Sequence, residues 1–163
     1  LTMSDKIAVM FDGEVCQLAS PQKLYSKPST KRVASFIGEM NFFGGNILKQ
    51  SDRKIDIETL TFGKISISRD QFSFKPKLVN ITLGVRPEML SLRRTNSTEK
   101  ENTATGLIEE ISFFGNTTFY KIKMKNSGEL CSVSAQNSLD HELMRVGDHI
   151  KVELNPKSIV GLK

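Results

Sequence analysis

Tryptophan is absent from these 163 residues, and cysteine occurs only twice, at Cys16 and Cys131. Two cysteines exclude a disulfide scaffold and a cysteine-based zinc site. Both stand in strand-like text and read as small buried hydrophobes. Histidine is equally scarce: His141 and His149 have no metal-ligand spacing with each other or with a cysteine, so no metal site is expected. No apolar run reaches the roughly 18 residues that a membrane-spanning helix needs. No charged segment followed by an apolar stretch opens the text, so no secretory signal is expected in it. Catalytic motifs are missing as well. There is no Gly-x-Ser-x-Gly elbow, and Gly44-Gly45 lacks the following Lys-Ser or Lys-Thr of a phosphate-binding loop. Glu109 and Glu110 are neighbours in a strand pattern, which sends them to opposite faces where they cannot share a proton. No catalytic residue and no cofactor-binding residue is expected.

What is present is ordinary globular text. Hydrophobic residues make up 38% and charged residues 25% of 18.2 kDa, enough for a sizeable core. The net charge of +5 comes from basic residues dispersed along the chain, which speaks against a dedicated nucleic-acid binder. The first residue is Leu1, and the chain reads as a piece of a longer protein.

Residues 6–19 predict a hairpin. Ile7 to Phe11 is a continuous apolar run, the pattern of a strand covered on both faces. Asp12-Gly13 is a strong hairpin signal, because a type I′ turn needs positive φ at both central positions. Glu14 to Leu18 returns. Ser20-Pro21 opens a helix that Pro28 stops. Ser29 is placed to cap a second helix carrying Val33, Phe36 and Ile37, with Gly38 as its stop.

After Gly38 the period changes to two. Ile55 and Ile57, Ile65 and Ile67, the Val79–Val85 run, Tyr120 with Ile122 and Met124, and Ile150 with Val152 and Leu154 each alternate with polar residues. Turn signals separate them at Gly44-Gly45, Phe62-Gly63, Gly115-Asn116, Asn126-Ser127-Gly128 and Gly147-Asp148. Short strands at this spacing predict a small barrel or sandwich. A polar loop is expected over 95–103 and a short helical turn over 139–145.

Several motifs carry a family resemblance. Leu1 to Met10 with Asp12-Gly13-Glu14-Val15, then Pro21-Gln22-Lys23-Leu24-Tyr25-Ser26-Lys27-Pro28, then Val33-Ala34-Ser35-Phe36-Ile37-Gly38, resemble the C-terminal edge of ABC importer ATPase domains. Gly84-Val85-Arg86-Pro87-Glu88 resembles the Gly-x-Arg-Pro-Glu signature of the transport-associated OB (TOBE) regulatory domain. Phe113 to Tyr120 resembles a family strand–turn–strand. Phe36 to Asn41 looks most like the spermidine/putrescine branch, with the iron(III) branch close and the sugar branch less so.

The resemblance implies a mainly β fold. Residues 1–38 would be the end of an ATPase domain, and residues 39–163 an OB-like regulatory domain. The family's P-loop, Walker-B acid and switch histidine have no counterpart here, so ATP and magnesium belong to the parent subunit. The implied partners are a second copy of the chain and membrane permease subunits, at the inner face of the cell membrane, with no nucleic acid. Family-motif and interaction candidates are Gly84, Arg86, Pro87, Glu88, Phe113, Phe114 and Gly115. Phe42, Phe43 and Phe119 complete a candidate apolar patch. A local reading makes Arg86 and Glu88 an exposed ion pair at a strand-ending corner. The rival class is an OB-fold nucleic-acid module.

Overall fold

The computed structural model describes residues 4–77, 80–95, 101–137 and 144–163. The hairpin forms as expected, from β1 (Ile7–Phe11) and β2 (Glu14–Ala19), with positive φ at both Asp12 and Gly13. Two short helices follow, α1 (Pro21–Ser26) and α2 (Lys31–Ile37). Ser20 caps α1 by accepting from the Lys23 N–H. The second cap moves one residue from expectation: Thr30, not Ser29, accepts from the Val33 N–H. The hairpin is not covered on both faces. Val9 is buried, but Met10, Val15 and Leu18 are each more than half exposed, and Cys16 is exposed too. Among the described residues a two-stranded ribbon has only the helices to pack on, so its other face stays bare.

Two five-stranded antiparallel sheets make up the rest. In the first the order is β12-β6-β3-β4-β5, built from β3 (Asn41–Gln50), β4 (Lys54–Thr59), β5 (Gly63–Ser68), β6 (Asn80–Val85) and β12 (Val160–Leu162). A bridge from Phe72, just past β5, to Gly161 of β12 closes this sheet on itself. In the second the order is β10-β9-β8-β11-β7, from β7 (Leu90–Arg94), β8 (Thr103–Phe114), β9 (Thr117–Met124), β10 (Leu130–Gln136) and β11 (His149–Leu154). Its edge strands β10 and β7 approach each other. Each sheet thus curls into an OB-like barrel, and the architecture is mainly β.

The predicted alternation sets the inner faces. Ile55, Ile57, Ile65, Ile67, Leu83, Ile122, Met124, Ile150, Val152 and Leu154 are buried in one continuous core that runs through both sheets. Gly63, Gly115, Gly128 and Gly147 all have positive φ at the predicted turns. Gly44-Gly45 is the exception, lying inside β3 rather than at a turn. A Cβ on Gly45 would sit 2.5 Å from Ile57 Cγ2, so the glycine is there to let β4 side chains close in. Glu109 and Glu110 do not point to opposite faces. A bulge between Ile108 and Glu110 turns both outward, toward Lys123 (3.8 Å) and Lys121 (3.5 Å). Val79, most of the 95–103 loop and most of the 139–145 turn, with His141, lie outside the described residues. Among the described residues no helix is long and apolar enough to cross a membrane.

Candidate functional site: the Arg86 clamp and the β8–β9 tip

The candidates fall into two places. At the end of β6, a Cβ on Gly84 would lie 2.4 Å from Met40 Sδ and 3.0 Å from Leu162 Cδ1, so the glycine lets β12 and the segment before β3 close over it. Pro87 then holds Arg86 extended, at φ −72° and ψ 145°, and starts the 3₁₀ turn Pro87–Met89 that leads to β7.

Arg86 is not an exposed member of an ion pair. It is 4% exposed. Its Nη1 donates to the carbonyl oxygens of Ala34 (3.3 Å), Gly38 (2.8 Å) and Glu39 (3.0 Å). Its Nη2 donates to the Tyr25 carbonyl (3.2 Å), and the guanidinium lies 4.3 Å above the centre of the Tyr25 ring. Tyr25 is in the last turn of α1 and Ala34 in the last turn of α2. The final carbonyls of a helix lack intrahelical donors and attract cations, so one guanidinium satisfies the ends of both helices. Glu88 does not pair with Arg86 either; it accepts the Tyr25 hydroxyl. Burial pushes Arg86 below its usual value, while Tyr25 and Glu88 act in the opposite direction. Burial, then the bond to Glu88, raises Tyr25 above 10.0. The result is a clamp fastening the hairpin–helix unit to the barrels.

Apolar packing runs parallel to this clamp. Ala34, Met40, Val160 and Leu162 form a small cluster with Phe42 against it. Phe42 is half-buried, with the Lys31 ammonium 4.8 Å from its ring centre, and Phe43 is core. Neither belongs to an exposed patch.

The second place is the β8–β9 hairpin. Gly115, at φ +63°, makes the tight turn. Phe113 and Phe114 stand out at 71% and 66% exposed. Phe114 meets the half-buried Phe119 edge to face, ring centres 5.6 Å apart. Asn137 braces the tip. Its Nδ2 donates to the Gly115 carbonyl (2.6 Å), its N–H to the Asn116 carbonyl (2.8 Å), and its Oδ1 accepts from Thr118 Oγ1 (2.6 Å). A stiff hairpin presenting bare aromatic surface is suited to docking rather than chemistry.

The two places are linked. Glu39, whose carbonyl Arg86 holds, lines a groove with Glu110, Phe114, Phe119, Lys121 and Ser132. Asn41 ties β3 to the lining residue Ser132: its Oδ1 accepts the Ser132 N–H (2.6 Å) and its Nδ2 donates to the Ser132 carbonyl (2.8 Å). The roles of Tyr25, Asn41 and Asn137 are not visible in the sequence, although Tyr25 and Asn41 stand within the stretches that carry the family resemblance. His149 is exposed, as its place on a polar strand face implied.

Comparison with known proteins fits this geometry. Residues 83–162 match the family model described as TOBE domain. The spermidine/putrescine import ATP-binding protein PotA of Mesorhizobium japonicum is 38% identical over 138 residues, which is 85% of this chain and 36% of that protein. Its counterpart from Thermotoga maritima is 28% identical over 161 residues, 96% of this chain and 43% of that protein. The chain thus spans well under half the length of these relatives. Among solved structures, the cytoplasmic molybdate-binding protein ModG with molybdate bound superposes with a TM-score of 0.61, covering 74% of this chain and 94% of that one. At 14% identity this is a likeness of fold.

Proposed function

We propose that this chain, whose residues 83–162 match the TOBE domain family model, is the C-terminal regulatory and pairing portion of the ATP-binding subunit of an ABC importer, with polyamines of the spermidine/putrescine class as the solute. The supporting observation is that the likeness to spermidine/putrescine import ATP-binding proteins extends along 85% to 96% of the chain. It therefore takes in the hairpin–helix unit as well as the barrels. In this reading residues 1–38 close an ATPase domain and residues 39–163 form the regulatory domain. ATP and magnesium are bound by the rest of the subunit, which meets its permease partners at the inner face of the membrane.

The physical role follows. Two ATPase subunits must close over nucleotide and reopen without drifting apart. A standing contact between their regulatory domains keeps the local concentration of each high through the cycle. The β8–β9 tip supplies apolar area for that contact, and the Arg86 clamp transmits it rigidly to the ATPase side. The test is ATP-driven uptake by the full-length subunit reconstituted with its permease subunits in vesicles. Labelled spermidine or putrescine should accumulate. Accumulation of iron(III) or maltose instead would overturn the polyamine assignment, and no ATP-driven uptake of any of them would overturn the importer assignment.

A further inference from the structure

The chain passes between its two sheets twice, at the Arg86–Met89 corner between β6 and β7 and at the Asn155–Ile159 segment between β11 and β12. These crossovers and the end of α1 enclose a crevice of about 410 Å³. That is inside the range of roughly 300–1,000 Å³ occupied by small-molecule sites, which favour such junctions. Its character is amphipathic. Met40, Met89 and the Tyr25 ring provide apolar wall, while Lys27, Arg86 and Lys157 also line it and no carboxylate does.

The charge there is not neutralised from within. All of Arg86's hydrogen bonds go to carbonyl oxygens, and its buried Nε has none. The nearest acids are engaged at the margin: Glu88 accepts the Tyr25 hydroxyl, and Asp70 lies beside Lys27, which donates to its backbone carbonyl (3.1 Å). A cationic, partly desolvated crevice favours an anion and repels a cation. Met89, about half exposed on its edge, can adapt to the occupant's shape.

We propose that this crevice binds a small amphipathic anion, with a carboxylate or phosphate group held by Lys27 and Lys157 and an apolar body against Met40, Met89 and Tyr25. The occupant touches α1 and both crossovers at once, so binding also tightens the seating of the hairpin–helix unit on the barrels.

The probe is 8-anilinonaphthalene-1-sulfonate, followed by fluorescence on the 163-residue chain. A saturable fraction should be displaced by octanoate, and not by octylammonium or inorganic phosphate at equal concentration. Lys27→Glu with Lys157→Glu should weaken that fraction about tenfold or more. The same charge change at Lys54→Glu with Lys64→Glu, on β4 and β5, should leave it within about twofold. So should Met10→Ser with Leu18→Ser, which removes exposed apolar surface from the hairpin. Circular dichroism identifies the folded variants. Equal weakening by both lysine pairs, loss of the signal in the hairpin variant, or displacement by octylammonium or inorganic phosphate as effective as by octanoate would overturn the proposal.

Discussion

Arg86 stacks on the ring of Tyr25 at 4.3 Å and donates to that residue's own carbonyl oxygen at 3.2 Å. A single side chain from the barrel thus holds the ring and the backbone of one helix residue, while its other nitrogen holds the end of the second helix. Hydrogen bonds to charged groups contribute about 1.5–3 kcal/mol each and are not additive. Arg86→Met should therefore destabilise the chain by about 2–4 kcal/mol in urea unfolding. Arg86→Lys should recover little of it, because an ammonium cannot reproduce the planar fork.

Tyr25 supplies a pH test. Its folded pKa is raised, by burial first and by the hydroxyl's bond to Glu88 second. A raised value means the neutral phenol is favoured in the folded state. Its contribution is complete below about pH 10 and is lost as pH rises through the folded value. Tyr25→Phe should lower stability at neutral pH and flatten the alkaline decline, as read from urea midpoints across that range.

Three of the four most crowded glycines, Gly161, Gly45 and Gly84 (Gly106 is the fourth), should differ in cost in a predictable order. A Cβ at Gly161 would fall 2.0 Å from Phe72 Cδ1, one at Gly45 2.5 Å from Ile57 Cγ2, and one at Gly84 2.4 Å from Met40 Sδ. A ring in the core cannot step aside, whereas the end of a methionine can. Gly161→Ala should destabilise by about 2–3 kcal/mol, at the upper part of the overpacking range. Gly84→Ala should cost about 1 kcal/mol, with Gly45→Ala between, measured by thermal melts.

Thiol chemistry should separate the two cysteines. Cys16 is exposed on the bare face of β2. Cys131 is buried in β10, and burial, with Glu129 second, pushes its thiol up to about 12. At about pH 8 Ellman's reagent should titrate one thiol rapidly in the native chain and the second only after unfolding. Two fast thiols would mean that β10 opens.

How far the sequence alone reaches depends on what each residue's partner is. Ile55, Ile57, Ile65 and Ile67 announce their strands because burial on one face writes a period of two. Gly44-Gly45 misleads because a glycine in a turn and a glycine making room look the same until Ile57 is in place. Arg86 misleads more deeply. Its acceptors are backbone carbonyls 47 to 61 positions away, a kind of partner that leaves no trace in side-chain text. The family motif marked its position, but the local expectation of an exposed ion pair with Glu88 was wrong. Phe113 and Phe114 were legible as an aromatic pair, yet only the Gly115 turn and the Asn137 brace decide that they face outward while Phe43 faces in.

The most direct test of the pairing role is molar mass by light scattering at high micromolar concentration, for the chain and for Phe113→Ser with Phe114→Ser. The pairing role predicts twice the 18.2 kDa chain mass for the unaltered chain. It predicts a single-chain mass for the double variant, whose exposed changes should move stability by no more than about 0.5 kcal/mol. A single-chain mass for both, or a dimer that the double variant leaves intact, would contradict it.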